Sequence, residues 1–294
     1  PDCLPLYIQY QLLVPPLYKQ LGEKEKYRYR FSRGLNNILL HCRSVSSIKD
    51  NQQLMQRVQP NLSLAVIARN MFYFSYQGDS DRSLILKYGE IVQFLCQLEY
   101  QSIDKSFISE RNLSEKIRIG YIAPGMAQLF LGWLRHHDRE QFEIYCYVLS
   151  NDTAKTFTPF HEYTDHLFCS DTTDVKAVQA KILADKLHIL VFPAIGMELH
   201  ILQLASMQLA PIQCTSWCHP FSTGLTTIQY FISSQLMEPP NAQNHYTEEL
   251  ICLPNIGIAY SLPKVPSLNK SRSDFGICEQ KFIYLSCQNL MKYS

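Results

Sequence analysis

The sequence predicts an α/β protein in which a helical N-terminal region precedes a parallel, doubly wound sheet. Three observations carry that expectation. Residues 1 to 112 place apolar residues at three- and four-residue spacing with no clean strand alternation. From residue 117 onward, strand-like runs alternate with helical stretches of about 10 to 15 residues, the pattern of βαβ units. The 294 residues, 46% of them apolar, supply core for two ordinary domains, or for one large domain with a helical appendage.

The helical region is read from "GLNNILLHCRSV", "NQQLMQRVQ", "SLAVIARNMFYFSY" and "SLILKYGEIVQFLCQLEY". Its aromatic faces, Tyr27, Tyr29 and Phe31 and then Phe72, Tyr73, Phe74 and Tyr76, suit helices packed on one another or on the sheet domain, as in helical-pair repeats. No second copy recurs at a fixed period. The first strand is expected over 117–123, ending in Pro-Gly, with a helix in "LFLGWLRHHDREQ" behind it. Further strands are expected at 142–150, 166–170, 187–194, 210–217 and 226–234. Between them lie a helix in "TTDVKAVQAKILADK", capped by Thr172 or Thr173, and a second in 197–208.

Charge and cysteine content narrow the function. Lys and Arg total 27 against 26 Asp and Glu, a formal net charge of +1, so no long-range field favours nucleic acid or an anionic membrane. No apolar run reaches the length of about 18 residues that a spanning helix requires, and no signal segment opens the chain, so a soluble, cytoplasmic protein is expected. The ten cysteines stand singly, several in apolar runs such as "FEIYCYVLS" and "LICLP", and read as reduced core thiols. The chain starts at Pro1 and stops inside the strand-like "KFIYLSCQNLMKYS", which is read as a piece of a longer protein.

Ligands on doubly wound sheets bind at the carboxyl ends of strands. Three such ends carry a glycine: "IAPGMAQ" (Gly125), "PAIGM" (Gly196) and "WCHPFSTG" (Gly224). Each either allows positive φ in a tight turn or lets backbone N–H groups cradle a phosphate; none matches GxGxxG or a P-loop. Cys214, Cys218 and His219 have ligand chemistry, but no second Cys/His pair of zinc spacing accompanies them, so no metal site is expected. His219 follows its strand at the mouth, and Pro220 biases it to extended backbone; it is either a loop histidine satisfied by backbone or a donor to a substrate hydroxyl or phosphate oxygen. "RHHDRE" at 135–140 reads as a solvated helix end, and Asp152 and Asp165 as cap or turn residues.

The order "KIRIGYIAPG", "FEIYCYVLS", "LHILVFPAIGM", "LAPIQCTSWCHPFSTGLTTIQYFISS" and "PPNAQNHYTEELICLP", from residue 116 to about 262, resembles the catalytic region of the O-linked N-acetylglucosamine transferases and Spindly-like proteins, glycosyltransferase family 41, of bacterial type. The resemblance implies a GT-B architecture that follows tetratricopeptide or other helical regions: a helical region (1–112), which could be the end of a helical-repeat array, a first Rossmann-like domain (113–270), and the start of a truncated second one (271–294). It implies a UDP-N-acetylglucosamine donor, Ser or Thr of proteins as acceptors, and no metal or other cofactor. Trp217, Cys218, His219, Pro220, Thr223 and Gly224 would form the substrate-side wall with Gly125 and Gly196 nearby, His219 being the catalytic candidate, while Gln288 and Lys292 would lie on the diphosphate. The sequence departs from the pattern in three places: the loop after the first strand has Met126 and Ala127 but no histidine, Cys218 stands where glycine is usual, and Gln229 where aspartate is. Above all, the second domain with nearly all the donor contacts is missing after Ser294, so the chain alone is expected to be inactive. Two alternatives stay beside this reading: a non-catalytic protein-interaction module built on the fold, and a GT-B transferase with another acceptor.

Overall fold

The computed structural model describes residues 3–15, 17–68, 71–100, 115–123, 129–149, 160–170, 174–219, 221–259, 267 and 269–289. The helical region contains α1 (Leu4–Leu12), α2 (Glu23–Val45), α3 (Asn51–Val58), α4 (Pro60–Ala68) and α5 (Arg82–Glu99), with a 3₁₀ turn over Phe72–Gln77. Each longer helix buries one stripe. In α2 it is Phe31, Leu35, Ile38, Leu39, Cys42 and Val45; in α5 it is Ile85, Tyr88, Val92, Leu95 and Cys96. Glu23 and Glu25 sit in the first turn of α2, where the helix dipole favours negative charge. Asp50 caps α3 by accepting from the N–H groups of Gln52 and Gln53 at 2.9 and 3.1 Å. A buried ion pair, Arg28 to Asp81 at 2.6 Å, ties α2 to the residue that opens α5.

The sheet has seven strands, all parallel: β1 (Ile117–Ala123), β2 (Phe142–Leu149), β3 (His166–Ser170), β4 (Ile189–Phe192), β5 (Ile212–Ser216), β6 (Tyr230–Ser234) and β7 (Glu249–Leu253), in the order β3-β2-β1-β4-β5-β6-β7. The order reverses beside β1, which pairs with β2 on one side and β4 on the other. Its partner helices are α6 (Leu131–Arg135), α7 (Val175–Ala184) and α8 (Leu199–Ala205). One face of the sheet, with Ile122, Tyr147, Leu149, Leu190 and Phe192, joins α7, α8 and the N-terminal helices in a single apolar cluster. The opposite face packs Ile119, Tyr121, Ile144, Cys146 and Val191 against Leu134 of α6 and against Phe160. Polar ties also cross between helices and sheet region: Gln93 Nε2 donates to Thr226 Oγ1 at 2.7 Å, and Arg82 Nε to the Tyr246 carbonyl at 2.9 Å.

The expected fold class is the observed one, and the six strands read from the sequence are present within a few residues of their expected limits. A seventh, β7, pairs with β6 from Tyr230↔Glu249 to Ser234↔Leu253; five residues at a sheet edge leave too little alternation to announce a strand. Four expectations need correction. The cap of α7 is Asp174, whose Oδ1 accepts from the Ala177 N–H at 2.9 Å; Thr172 and Thr173 lie outside the described residues. The helix after β1 stops at Arg135, because Asp138 turns the chain into β2 by accepting from Glu140 N–H (2.9 Å) and, through its carbonyl, from Phe142 N–H (2.9 Å). Not all cysteines are core thiols: Cys42, Cys96, Cys146 and Cys214 are buried, whereas Cys169 and Cys252 are exposed on the two edge strands and Cys278 and Cys287 near the C-terminus. The strand-like run near the end forms no strand over 281–289; Phe282 and Tyr284 are 92% and 94% exposed, and among the described residues no strand pairs with this stretch.

"RHHDRE" is only partly a solvated face. Arg135, His136, Asp138 and Glu140 are exposed, but Arg139 donates to the carbonyls of Leu134 (2.9 Å) and Tyr163 and pairs with Asp165 at 2.8 Å. Asp165 acts as the turn residue expected of it, accepting from Ile144 N–H at 2.7 Å, while Asp152 is outside the described residues. Among the described residues no helix is long and apolar enough to cross a membrane.

Candidate functional site

The carboxyl ends of β4 and β5 bring two of the sequence candidates together. After β4 the chain turns at Gly196 with φ +109°, and after β5 it runs through Trp217 and Cys218 to His219. The His219 ring lies directly over the glycine: a Cβ on residue 196 would stand 3.0 Å from both Cε1 and Nε2. Phe221 closes the ring edge-on, with centroids 4.3 Å apart. His219 is only 3% exposed, and burial lowers its pKa to about 4, so the imidazole is neutral at physiological pH. A neutral ring can hydrogen-bond a hydroxyl but brings no positive charge to a phosphate.

Trp217, half-buried at the strand end, packs on Phe130 at 5.4 Å between centroids, and Phe130 meets Trp133 at 5.1 Å. The aromatic row joins the end of β5 to α6. Cys218 is half-buried and its thiol pKa is raised by burial, which disfavours a nucleophilic thiolate. Beside Trp133 a cleft of about 440 Å³ opens between α6 and the far strands, lined by Tyr121, His137, Ile232, Leu253 and Ile258. On its wall the Tyr121 hydroxyl lies 2.7 Å from His137 Nε2.

Thr223 and Gly224 turn away from this mouth. The Thr223 N–H donates to Glu248 Oε1 at 2.8 Å and its hydroxyl donates to the same oxygen; Ser222 Oγ donates to Glu248 Oε2 at 2.6 Å. Gly224 (φ +70°) is pressed on α5: a Cβ there would stand 2.1 Å from the Ile85 carbonyl oxygen, and one on Gly89 would stand 2.0 Å from the Gly224 carbonyl oxygen. Gln288 lies in the exposed C-terminal stretch, its Oε1 accepting from the Asn289 N–H at 3.0 Å. Gly125, Pro220 and Lys292, with Met126 and Ala127 of the first loop, lie outside the described residues.

Two residues that carry this architecture were not singled out from the sequence. Glu248, 3% exposed, precedes β7; a carboxylate just before an apolar run resembles any strand entry, and only its spatial partners reveal it. Gln213, fully buried in β5, accepts from Leu209 N–H (2.6 Å) and donates to the carbonyls of Met207 (3.1 Å) and Thr227 (3.0 Å). Its own N–H donates to Gln229 Oε1 at 2.8 Å, so the glutamine standing where aspartate was expected still accepts a backbone bond. Gln213 and Gln229 therefore staple β5 to the segments beside it. Among the described residues no group of three His, Cys, Asp or Glu side chains could hold a metal ion.

A doubly wound parallel sheet with its mouth at the ends of β4 and β5, and helices packed on both faces, is consistent with a Rossmann-like domain of the GT-B type. The chain belongs to glycosyl transferase family 41, whose model matches residues 86–259, more than half of it and beginning inside α5. It is 27% identical over 190 residues to the probable UDP-N-acetylglucosamine-peptide N-acetylglucosaminyltransferase SEC of Arabidopsis thaliana, covering 60% of this chain and 19% of that protein. It is 29% identical over 175 residues to the corresponding probable transferase SPINDLY of Solanum lycopersicum, covering 55% and 18%. The chain thus spans about a fifth of the length of these curated relatives. Among solved structures, a variant of an O-GlcNAc transferase from Thermobaculum terrenum aligns over 87% of this chain and 57% of its own, with TM-score 0.45 and 16% identity.

Proposed function

We propose that this chain is the substrate-side half of a GT-B glycosyltransferase that carries N-acetylglucosamine from UDP-N-acetylglucosamine to Ser or Thr hydroxyls of protein acceptors. The observation that carries the reading is the family match running through the Trp217–Gly224 loop, with a neutral histidine at the mouth of the sheet. In the reaction the acceptor oxygen bonds to the anomeric carbon with inversion, the bond to the UDP oxygen breaks, and the acceptor proton leaves. A histidine with pKa near 4 is a weak base at neutral pH, so the role proposed for His219 is to position the acceptor or sugar by hydrogen bonding. Because the ring is buried beneath Phe221, substrate access requires that loop to shift. In this reading Trp217 and Cys218 belong to the wall, with Gly196 under His219, and the roles of Gly125 and Pro220 rest on the resemblance alone.

The donor side belongs, in this reading, to a second Rossmann-like domain beginning in 271–294, with Gln288 and Lys292 toward the diphosphate. Residues 113–270 form the first domain and 1–112 the end of a tetratricopeptide-type helical array, as in a cytoplasmic protein of the bacterial type. UDP leaves without a metal when a helix N-terminus and basic side chains stabilise it.

Two observations favour a second reading, a non-catalytic interaction module: His219 is buried, and the donors of Thr223 are taken by Glu248. Transfer kinetics on the protein isolated from its cell separate the two. His219→Ala is expected to lower kcat/KM for peptide acceptors by about tenfold or more, with the fold retained. Unchanged kinetics would remove His219 from the site; absence of any transfer by a folded wild-type protein would favour the interaction module.

A further inference from the structure

We propose that Glu248 is a positioning residue for the mouth: its buried carboxylate, together with the Gly224–Gly89 backbone contact, fixes the 221–224 turn and thereby the imidazole of His219. The inference rests on the reading of 217–224 as the substrate wall, but it is tested without any transfer reaction.

The hydrogen bonds around Glu248 admit one consistent assignment. Ser222 Oγ donates to Glu248 Oε2 (2.6 Å) and accepts from the Thr247 N–H (2.9 Å) and the Thr247 hydroxyl (2.6 Å). Thr247 Oγ1 in turn accepts from the Gly224 N–H at 3.2 Å. Thr223 donates both its N–H and its hydroxyl to Oε1, while its Oγ1 accepts from the Leu225 N–H at 3.1 Å. Three donors end on the carboxylate, from Ser222 and Thr223, so both of its oxygens accept. A glutamine keeps only one of the two acceptors: with its carbonyl facing Thr223, its NH₂ faces Ser222, whose hydroxyl must then turn to donate to Thr247 Oγ1 while the Thr247 hydroxyl turns away. The charge-assisted bonds to the carboxylate are lost and the network must reverse.

The same turn is held from the other side by helix α5. Gly224 and Gly89 approach so closely that a Cβ on Gly89 would fall 2.0 Å from the Gly224 carbonyl oxygen. Phe221, whose ring closes on His219, is the residue immediately before Ser222, so displacement of the turn uncovers the imidazole. Burial is the cause of the lowered His219 pKa, and the ring's titration therefore reports whether the turn is in place.

The experiment is an NMR titration of the His219 ring in the full chain, comparing wild type with Glu248→Gln, Gly89→Ala and a control, Ile38→Ala, which opens a hole in the buried stripe of α2, outside the turn and its hydrogen bonds. The wild-type midpoint is expected near 4. Glu248→Gln and Gly89→Ala are each expected to raise it by about one unit or more toward the ordinary value of 6.5, and Ile38→Ala to leave it in place. A midpoint unmoved in folded Glu248→Gln and Gly89→Ala overturns the proposal, as does an equal rise in Ile38→Ala, which would mark a general loosening. Should Glu248→Gln fail to fold, Gly89→Ala decides alone, since it reaches the turn from the opposite face. A shifted midpoint, with no transfer by the protein isolated from its cell, would contradict the proposed function and leave the positioning role standing; an unshifted midpoint with transfer by that protein would do the reverse.

Discussion

His219 and Gly196 show how a single substitution can test the mouth. Alanine at 196 must adopt φ near +109° and place its Cβ 3.0 Å from the imidazole, so Gly196→Ala is expected to cost about 1 to 3 kcal/mol, measured by urea denaturation. A neutral result would mean that the ring and the turn are not in contact in solution. The histidine also ties stability to pH. Its folded pKa of about 4 lies below the unfolded 6.5, so between those values the unfolded chain binds the extra proton and stability rises with pH. The contribution is fully present above pH 6.5, is lost as pH falls toward 4, and amounts to at most on the order of 3 kcal/mol. Replacing His219 by Gln should flatten that part of the pH profile; an unchanged profile would assign the slope to other groups. Much of this was legible in the sequence at the level of place: a histidine and a glycine at neighbouring strand ends. What was not legible was orientation, since nothing in "FSTG" tells that Thr223 and Gly224 turn inward to Glu248 and α5 while His219 faces Gly196.

At the scale of elements, the α5 contact sets two effects against each other. Alanine is a better helix former than glycine by about 1 kcal/mol in a helix interior, so Gly89→Ala would stabilise an isolated α5. Against the Gly224 carbonyl the added methyl has 2.0 Å, and the strain of moving backbone exceeds the propensity gain. The expected net effect is a loss of about 2 kcal/mol, read from the denaturation midpoint; a gain would show that the helix and the turn separate readily. A milder case is Asp174→Ala at the start of α7, which removes the bond to Ala177 N–H and should cost about 1 kcal/mol. Periodicity made the strands legible because six of them carry apolar runs bounded by turn residues. It failed where tertiary context decides: β7 is a strand because β6 offers it a parallel edge, α6 ends because Asp138 turns the chain, and the run at 281–289 forms no strand where no neighbour pairs with it.

For the whole molecule, the shared apolar cluster has a direct consequence. The helices of the N-terminal region and one face of the sheet bury the same core, so the two are expected to unfold together. Both tryptophans, Trp133 and Trp217, lie in the sheet region, while most long helices lie before it. Tryptophan fluorescence and far-ultraviolet circular dichroism should therefore trace one urea transition, and Ile38→Ala in α2 should shift both equally. Separate transitions would show two independent units. The fold class and family were legible because the alternation of elements and the "APIQ…W…TG…YFIS" order extend over half the chain. The joint core was not, because apolar stripes on helices do not name the surface they cover.

The functional reading turns on whether this mouth serves sugar transfer to protein. The most direct measurement is the intact mass of a Ser/Thr acceptor peptide after incubation with UDP-N-acetylglucosamine and the protein isolated from its cell. The expected result is a gain of one N-acetylhexosamine on the peptide, diminished by His219→Ala. A peptide left unmodified by the folded wild-type protein, or one modified equally well by the variant, would contradict it.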